Sequence, residues 1–357
     1  MTSNSTMSNS SFAVDLNFFF YTQLATGICL AILSPLTIVS NALLLLTIFK
    51  DPLRCFRTPA TYFIVALAVV DLTTGLLIEP FFVLYRFVRY STWSLIIGEP
   101  YYTLREIGIW LSYVGLNASF LLVLGLISTQ YLAITYPHLY RSIVTTRRVL
   151  ACVVSCVGYF TGFILLQFVV SPQLTLFQVD LHLHSTLITI LLIVGSAMLL
   201  RSFRQFAKTS RRLAGGNSIE QRTIRGRGNK PQTNRISERQ FTIVTLFLAG
   251  ILIVCALPHI ITLHIRFYTK IETRQGWLDL FAVITISDEM MFVKVALDAF
   301  IYAWRLKKYR RSLKMALSCG TNIVESEIIV VRTMDNFTFQ EANPETSSTQ
   351  ATGFGAN

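Results

Sequence analysis

Lys294 and Asp298 stand four residues apart in the last long apolar stretch of the chain. Residues at i and i+4 share one face of a helix, so an ammonium and a carboxylate meet there. Asp71 adds a second carboxylate inside another apolar stretch. Charges at membrane depth are costly unless they pair or reach water. The chemistry these three support is an internal charged centre in a closed bundle. The histidines suggest less. His182 with His184 and His259 with His264 are the pairs, and no cysteine or acidic partner is read beside them at metal-ligand spacing. They are expected to line a pocket or an interface. No metal, cofactor or nucleophile set is expected, and the chain does not read as an enzyme.

Positioning these charges requires membrane helices. The chain has 357 residues, of which 53% are hydrophobic and only 14% charged. That balance fits a polytopic helical membrane protein. Lipid offers no hydrogen bonds, so each spanning segment must satisfy its own backbone as a helix. A span takes about 20 apolar residues. Seven candidates meet that length: 24–49, 59–85, 104–134, 149–170, 185–207, 241–265 and 277–304. The expected fold is all-α, a seven-helix transmembrane bundle.

The net charge of +12 is not a nucleic-acid signature, because the basic residues sort into alternate loops. Twenty-four of the 31 lie after the first, third, fifth and seventh stretches. Six lie on the opposite side: Arg86, Arg89, Arg105, Arg266, Lys270 and Arg274. The positive-inside rule puts the N-terminus outside and the C-terminus in the cytoplasm. The first 20 residues carry no Lys or Arg, so a cleaved signal peptide is not expected. Asn4 and Asn9 head glycosylation sequons on the outer side; Asn117 and Asn336 head silent ones. None of the six cysteines falls in an outer loop, which excludes an external disulfide.

The expected organisation is an extracellular tail (1–22), a membrane domain (23–304), an amphipathic helix (305–317) and a disordered cytoplasmic tail (318–357). In 305–317, Leu306, Tyr309, Leu313 and Leu317 recur at helical spacing among basic residues. Such a helix lies along the inner leaflet, and Cys319 beyond it is a candidate palmitoylation site. The Arg-, Gly- and Asn-rich loop 208–238 is expected to be mobile.

Five motifs then line up in order: SNALLLL with Asn41, ALAVVDL with Asp71, NASFLLVLGLISTQYLAITYPHLYRSIVT, CALPH with Pro258, and LDAFIYAWRLKKYRRSL with Tyr302. Their order and spacing resemble the rhodopsin-like (class A) G-protein-coupled receptors over residues 24–317. The AITYPHLYRSIVTTRRV stretch is similar to adenosine and melanocortin receptors. Asp298 in place of Asn, the short fourth-to-fifth loop, the missing external disulfide and a fifth span without proline look melanocortin-like. The resemblance implies a plasma-membrane receptor with an extracellular ligand, heterotrimeric G protein and arrestin as partners. Asn41, Asp71, Ser119, Lys294 and Asp298 would form its central polar network. Gln130, Tyr131, Pro258 and Tyr302 would serve activation and the G-protein face. In the resembling receptors a sodium ion sits where Asp71, Ser119 and Asp298 converge, so Lys294 would act there as a tethered cation.

The chain also departs from that pattern. The family's Asp-Arg-Tyr triplet is Thr129-Gln130-Tyr131, and its sixth-span tryptophan is Ala256. The fifth span has no tyrosine, Ala299 replaces the last motif's proline, and Arg105 stands near the disulfide cysteine's place. A non-coupling or chemosensory-type receptor is therefore the alternative reading, and a transporter or channel a more distant one. Opsin function is not expected: the retinal lysine's place is Phe292, and Lys294 is about 200° round the helix from it. Candidate ligand groups in the outer half are Glu106, Ser112, His259, Asp288 and Glu289. The aminergic aspartate position is Ser112, which disfavours a monoamine, although acids near the rim could suit a cationic ligand or peptide.

Overall fold

The protein is described here by a computed structural model covering residues 15–52, 56, 58–166, 169, 173–216 and 230–318. The sequon residues Asn4 and Asn9, Cys319 and the tail expected to be cytoplasmic lie outside these residues. The first span is α1 (Asn17–Lys50). The second is α2 (Thr61–Thr73), a π turn (Thr74–Ile78) and α3 (Glu79–Thr92). The third is α4 (Tyr101–Thr135), followed by the short α5 (Pro137–Ile143). The fourth is α6 (Thr146–Leu166). The fifth joins α7 (Gln173–Val179), a π turn (Asp180–Leu187) and α8 (Ile188–Gly216). The sixth is α9 (Lys230–Tyr268), the seventh α10 (Arg274–Arg305), and α11 (Lys307–Leu317) follows.

Six of these spans are long and apolar enough to cross a membrane. The seventh is α10, which carries Asp279, Asp288, Glu289, Lys294 and Asp298. It packs between α1 and α9 and so hides most of that charge in the bundle. α4 runs through the middle and touches the second, fourth, fifth and sixth spans. Outward faces are apolar as well: Ile28, Ile32, Leu36 and Val39 of α1 are all exposed, as are Val254, Leu257, Ile261 and Ile265 of α9. In water such patches would drive association; in a bilayer they meet lipid tails.

Local chemistry explains the breaks. In the second span the π turn frees a carbonyl at Gly75, and Ser34 of α1 donates to it at 2.9 Å. A Cβ on Gly75 would lie 2.9 Å from the Thr37 side chain, so glycine lets the two helices close there. α10 begins at Thr273, whose hydroxyl accepts from the Gly276 amide at 3.1 Å, an N-cap. Lys50 donates to the Ala316 carbonyl at 3.1 Å, tying α11 to the foot of α1. Burial raises the Tyr309 phenol of α11 above its ordinary value.

Three sequence expectations need correction. The second span runs on to Thr92, so Arg86 is not a loop residue: it is 3% exposed inside the bundle. The fifth span starts at Gln173 rather than 185. Its polar opening residues Asp180 and His184 face inward and satisfy each other, which an apolar window cannot detect. The stretch 208–238, expected to be a mobile loop, is helical at both ends: α8 continues to Gly216 and α9 begins at Lys230. Propagating an existing helix through Lys, Arg, Gln and Ala is cheap.

Candidate functional site

The half of the bundle where the third span begins and the sixth ends, expected to be the outer one, holds a cavity of about 480 Å³. Ser112, His259 and Asp288 line it. His259 Nδ1 lies 2.8 Å from Asp288 Oδ1, joining the sixth and seventh spans at the wall. Glu106 and Glu289 are not part of the lining. Glu106 turns to Arg105 at 2.6 Å. Glu289 pairs with Arg86, both sealed inside the bundle. Each found a guanidinium closer than the cavity, a partner the linear sequence does not reveal. Arg105 also lies over the Tyr85 ring at 5.2 Å, and Trp110 stacks on Phe177 with centroids 5.6 Å apart. Among the described residues Cys29, Cys152, Cys156 and Cys255 are free thiols, so aromatic and guanidinium contacts hold this end.

Below the cavity lies a second polar cluster that the sequence reading missed. Asn117 Nδ2 donates to Asp180 Oδ1 at 2.8 Å. His184 Nδ1 contacts the same oxygen at 2.8 Å, and Tyr159 OH lies 2.9 Å from His184 Nε2. One neutral tautomer satisfies all three contacts: Nδ1–H donates to Asp180 while Nε2 accepts from the phenol. The rings of Phe160 and Phe163 meet the imidazole edge-on at 5.0 and 4.6 Å. The cluster ties the third, fourth and fifth spans together. It also corrects the view that the histidines lack acidic partners: Asp180 is four residues before His184, and Asp288 faces His259. The i, i+4 spacing was legible as a signal. Among the described residues, no three such ligands gather for a metal.

At mid-depth the three charges of the first motif converge. Lys294 Nζ lies 2.7 Å from Asp298 Oδ2 and 4.0 Å from Asp71 Oδ1. It donates to Ser119 Oγ at 2.7 Å. All four residues are at most 2% exposed. The Asp298 contact has ion-pair distance but not hydrogen-bond alignment, and both Asp71 oxygens lack a donor among the described residues. Asn41 is buried nearby on the first span, yet its Nδ2 bonds its own helix at Thr37 O, 3.0 Å away. Glu79, also buried, accepts from Thr37 at 3.3 Å. Glu79 lies within the span expected at 59–85, so an acid in an apolar window was visible and went unweighed.

Toward the opposite end of the bundle from the cavity, Thr242 donates to Gln130 Oε1 at 3.2 Å. The bond links the third span to the sixth where a guanidinium would be expected from the family pattern. Tyr131 is half-buried, with its ring 6.5 Å from that of Tyr136. Tyr302 is 2% exposed and its hydroxyl has no partner among the described residues. Pro258 lies inside α9, beside His259 of the cavity wall. Having no N–H, it leaves the Val254 carbonyl without its helical donor.

Comparison with known proteins fits this arrangement. The family model "7 transmembrane receptor (rhodopsin family)" matches residues 40–302. Tyramine receptor 1 of Locusta migratoria is 33% identical over 129 residues, covering 36% of this chain. Putative tyramine receptor 2 of the same organism matches equally. The match spans 25% of the length of each relative. The chain belongs to the rhodopsin family of seven-transmembrane receptors.

Proposed function

We propose that the chain is a plasma-membrane receptor, with its N-terminus outside, that binds an extracellular ligand in the outer cavity. It signals through a heterotrimeric G protein, with arrestin as a further partner, by outward movement of the sixth span. The supporting observation is that one helix reaches both ends: α9 carries His259 in the cavity wall and Thr242 on Gln130. Seventeen residues separate them, about 25 Å of helix. A ligand that shifts α9 at His259 pulls on the Thr242–Gln130 bond. The break at Pro258 lies between the two. Within the same reading Lys294 is a tethered cation, holding Asp298 and Ser119 without a dissolved ion. The outer tail, expected at 1–22, ends where α1 begins at Asn17, and residues 318–357 are the cytoplasmic tail; Asn4 and Asn9 carry glycans and Cys319 a lipid.

Gln130 is neutral, so its contact with Thr242 of the sixth span is an ordinary hydrogen bond. Such a bond is worth about 0.5–1.5 kcal/mol, and resting activity should be high. Thr242→Val keeps the shape and removes the donor. At matched surface level it should raise ligand-independent second-messenger output by about 2- to 10-fold. Unchanged output in every G-protein assay would favour the non-coupling alternative, which Gln130 also motivates. Tags at both ends, stained with and without permeabilisation, test the orientation. An N-terminal tag hidden on intact cells would reverse it.

A further inference from the structure

Four arginines line the outer cavity, Arg86, Arg89, Arg105 and Arg266, against one lining carboxylate, Asp288. Their partners separate them into two kinds. Arg86 is neutralised by Glu289 and Arg105 by Glu106. Asp288 is engaged by His259. Arg89 and Arg266 have no carboxylate within ion-pair distance among the described residues. Arg89 donates to the Leu95 backbone carbonyl, its Nε is buried without a partner, and its guanidinium lies over Phe19 and Tyr85 at 5.3 and 5.2 Å. Arg266 lies over Phe281 at 5.4 Å and Phe267 at 6.0 Å. Both are within a turn of the outer ends of their helices. The cavity floor, by contrast, is apolar, with Phe120, Met291 and Phe292.

Arg89, half-buried against aromatic rings, has lost part of its water and gains strongly from an anion; Arg266 is exposed at the mouth and adds a second guanidinium there. A cationic ligand would meet two positive charges without carboxylate partners among the described residues, and the one lining carboxylate, Asp288, is already in contact with His259. The volume suits a drug-sized molecule. We propose that this cavity takes an amphipathic organic anion, a carboxylate or sulfate on an apolar body. The anionic head sits at the mouth on Arg89 and Arg266, and the body lies toward Phe120 and Phe292. The inference rests on the outer cavity being the ligand site. It sets this chain apart from relatives whose names specify an amine.

The test uses the full-length receptor in nanodiscs and matched probes differing only in the charged end. 3-(4-Hydroxyphenyl)propanoate is paired with tyramine, and octanoate with heptylamine. Ligand-induced thermal shift is the readout. An acid should raise Tm with concentration while its paired amine does not. Arg89→Gln and Arg266→Gln should each weaken that response by about 10- to 100-fold, Arg266→Lys should retain most of it, and Lys270→Gln, outside the cavity, should change nothing. An amine that outbinds its acid overturns the inference, as does acid binding indifferent to both arginine variants. Leu116→Trp fills the cavity: an amine response it abolishes removes the charge assignment but keeps the site. A response it does not touch removes the site reading as well. Silence from all four probes also overturns the anion assignment, and the Thr242→Val result then decides the receptor reading separately.

Discussion

Lys294 with its two aspartates and the Asp180–His184 pair are both buried inside one apolar bundle, yet they are satisfied very differently. Around His184 no buried side-chain polar atom among the described residues lacks a hydrogen bond. Asp180 Oδ1 takes two contacts, the imidazole uses both nitrogens, and Tyr159 and Asn117 complete the set. Around Lys294 acceptors outnumber donors. One ammonium faces two carboxylates, and the Asp71 oxygens and the Tyr302 hydroxyl have no hydrogen-bond partner among the described residues. A saturated buried network stiffens the elements it joins, whereas a half-satisfied one is a source of frustration. The His184 cluster therefore acts as a strut across the third, fourth and fifth spans. The Lys294 cluster can adopt a different arrangement when the helices shift, as a receptor requires.

Removing the ammonium should have the largest effect. Lys294→Met leaves Asp71 and Asp298 facing each other in an apolar interior, and one must take up a proton. Breaking a buried pair from one side is worth about 3–5 kcal/mol, so thermal stability in detergent and surface level should both fall sharply. Neutralising the partner as well, Lys294→Met with Asp298→Asn, should recover much of the loss. If the single variant is as stable as wild type, the centre is not held by charge.

Asp180→Leu strikes the strut and should cost less, about 1–3 kcal/mol, because it leaves Asn117 and His184 without their shared acceptor. A loss as large as that of Lys294→Met would abolish the distinction drawn between the clusters. Tyr159→Phe removes only the outermost contact and should cost about 0.5–1.5 kcal/mol. No change in melting temperature would show that the phenol merely fills space.

The smallest expected effect sharpens the comparison most. Lys294→Asn removes the tethered cation and keeps a polar side chain beside Asp71, Ser119 and Asp298. Its Tm should rise in sodium chloride relative to potassium chloride, while the wild-type protein responds alike to both salts. A sodium response in the wild type would mean that Lys294 does not occupy that role.

Much of the bundle was legible in the chain. Membrane helices follow from apolar length alone, because lipid leaves the backbone no other choice. The Lys294–Asp298 contact follows from an i, i+4 spacing that needs no tertiary information. The fifth span escaped at its outer end, because hydropathy penalises Asp180 and His184 whether they face water or each other. For the same reason Arg86 passed as a loop residue. Of the five candidate ligand groups, Ser112, His259 and Asp288 reach the cavity, while Glu106 and Glu289 are taken up by arginines.

Sequence by itself determined that this chain is a bundle of membrane helices, with a charged centre near Asp71, Lys294 and Asp298 and a neutral Gln130 where its family carries arginine. Those properties are local: they depend on residue type and on spacing along one helix. Which charges cancel was decided only by the tertiary structure. Glu289 reaches Arg86 from 203 residues away, and Asn117 reaches Asp180 from 63. Electrostatic pairing depends on distance through space, so the arginines left over at the cavity, and the ligand charge they select, emerge only once the helices are packed.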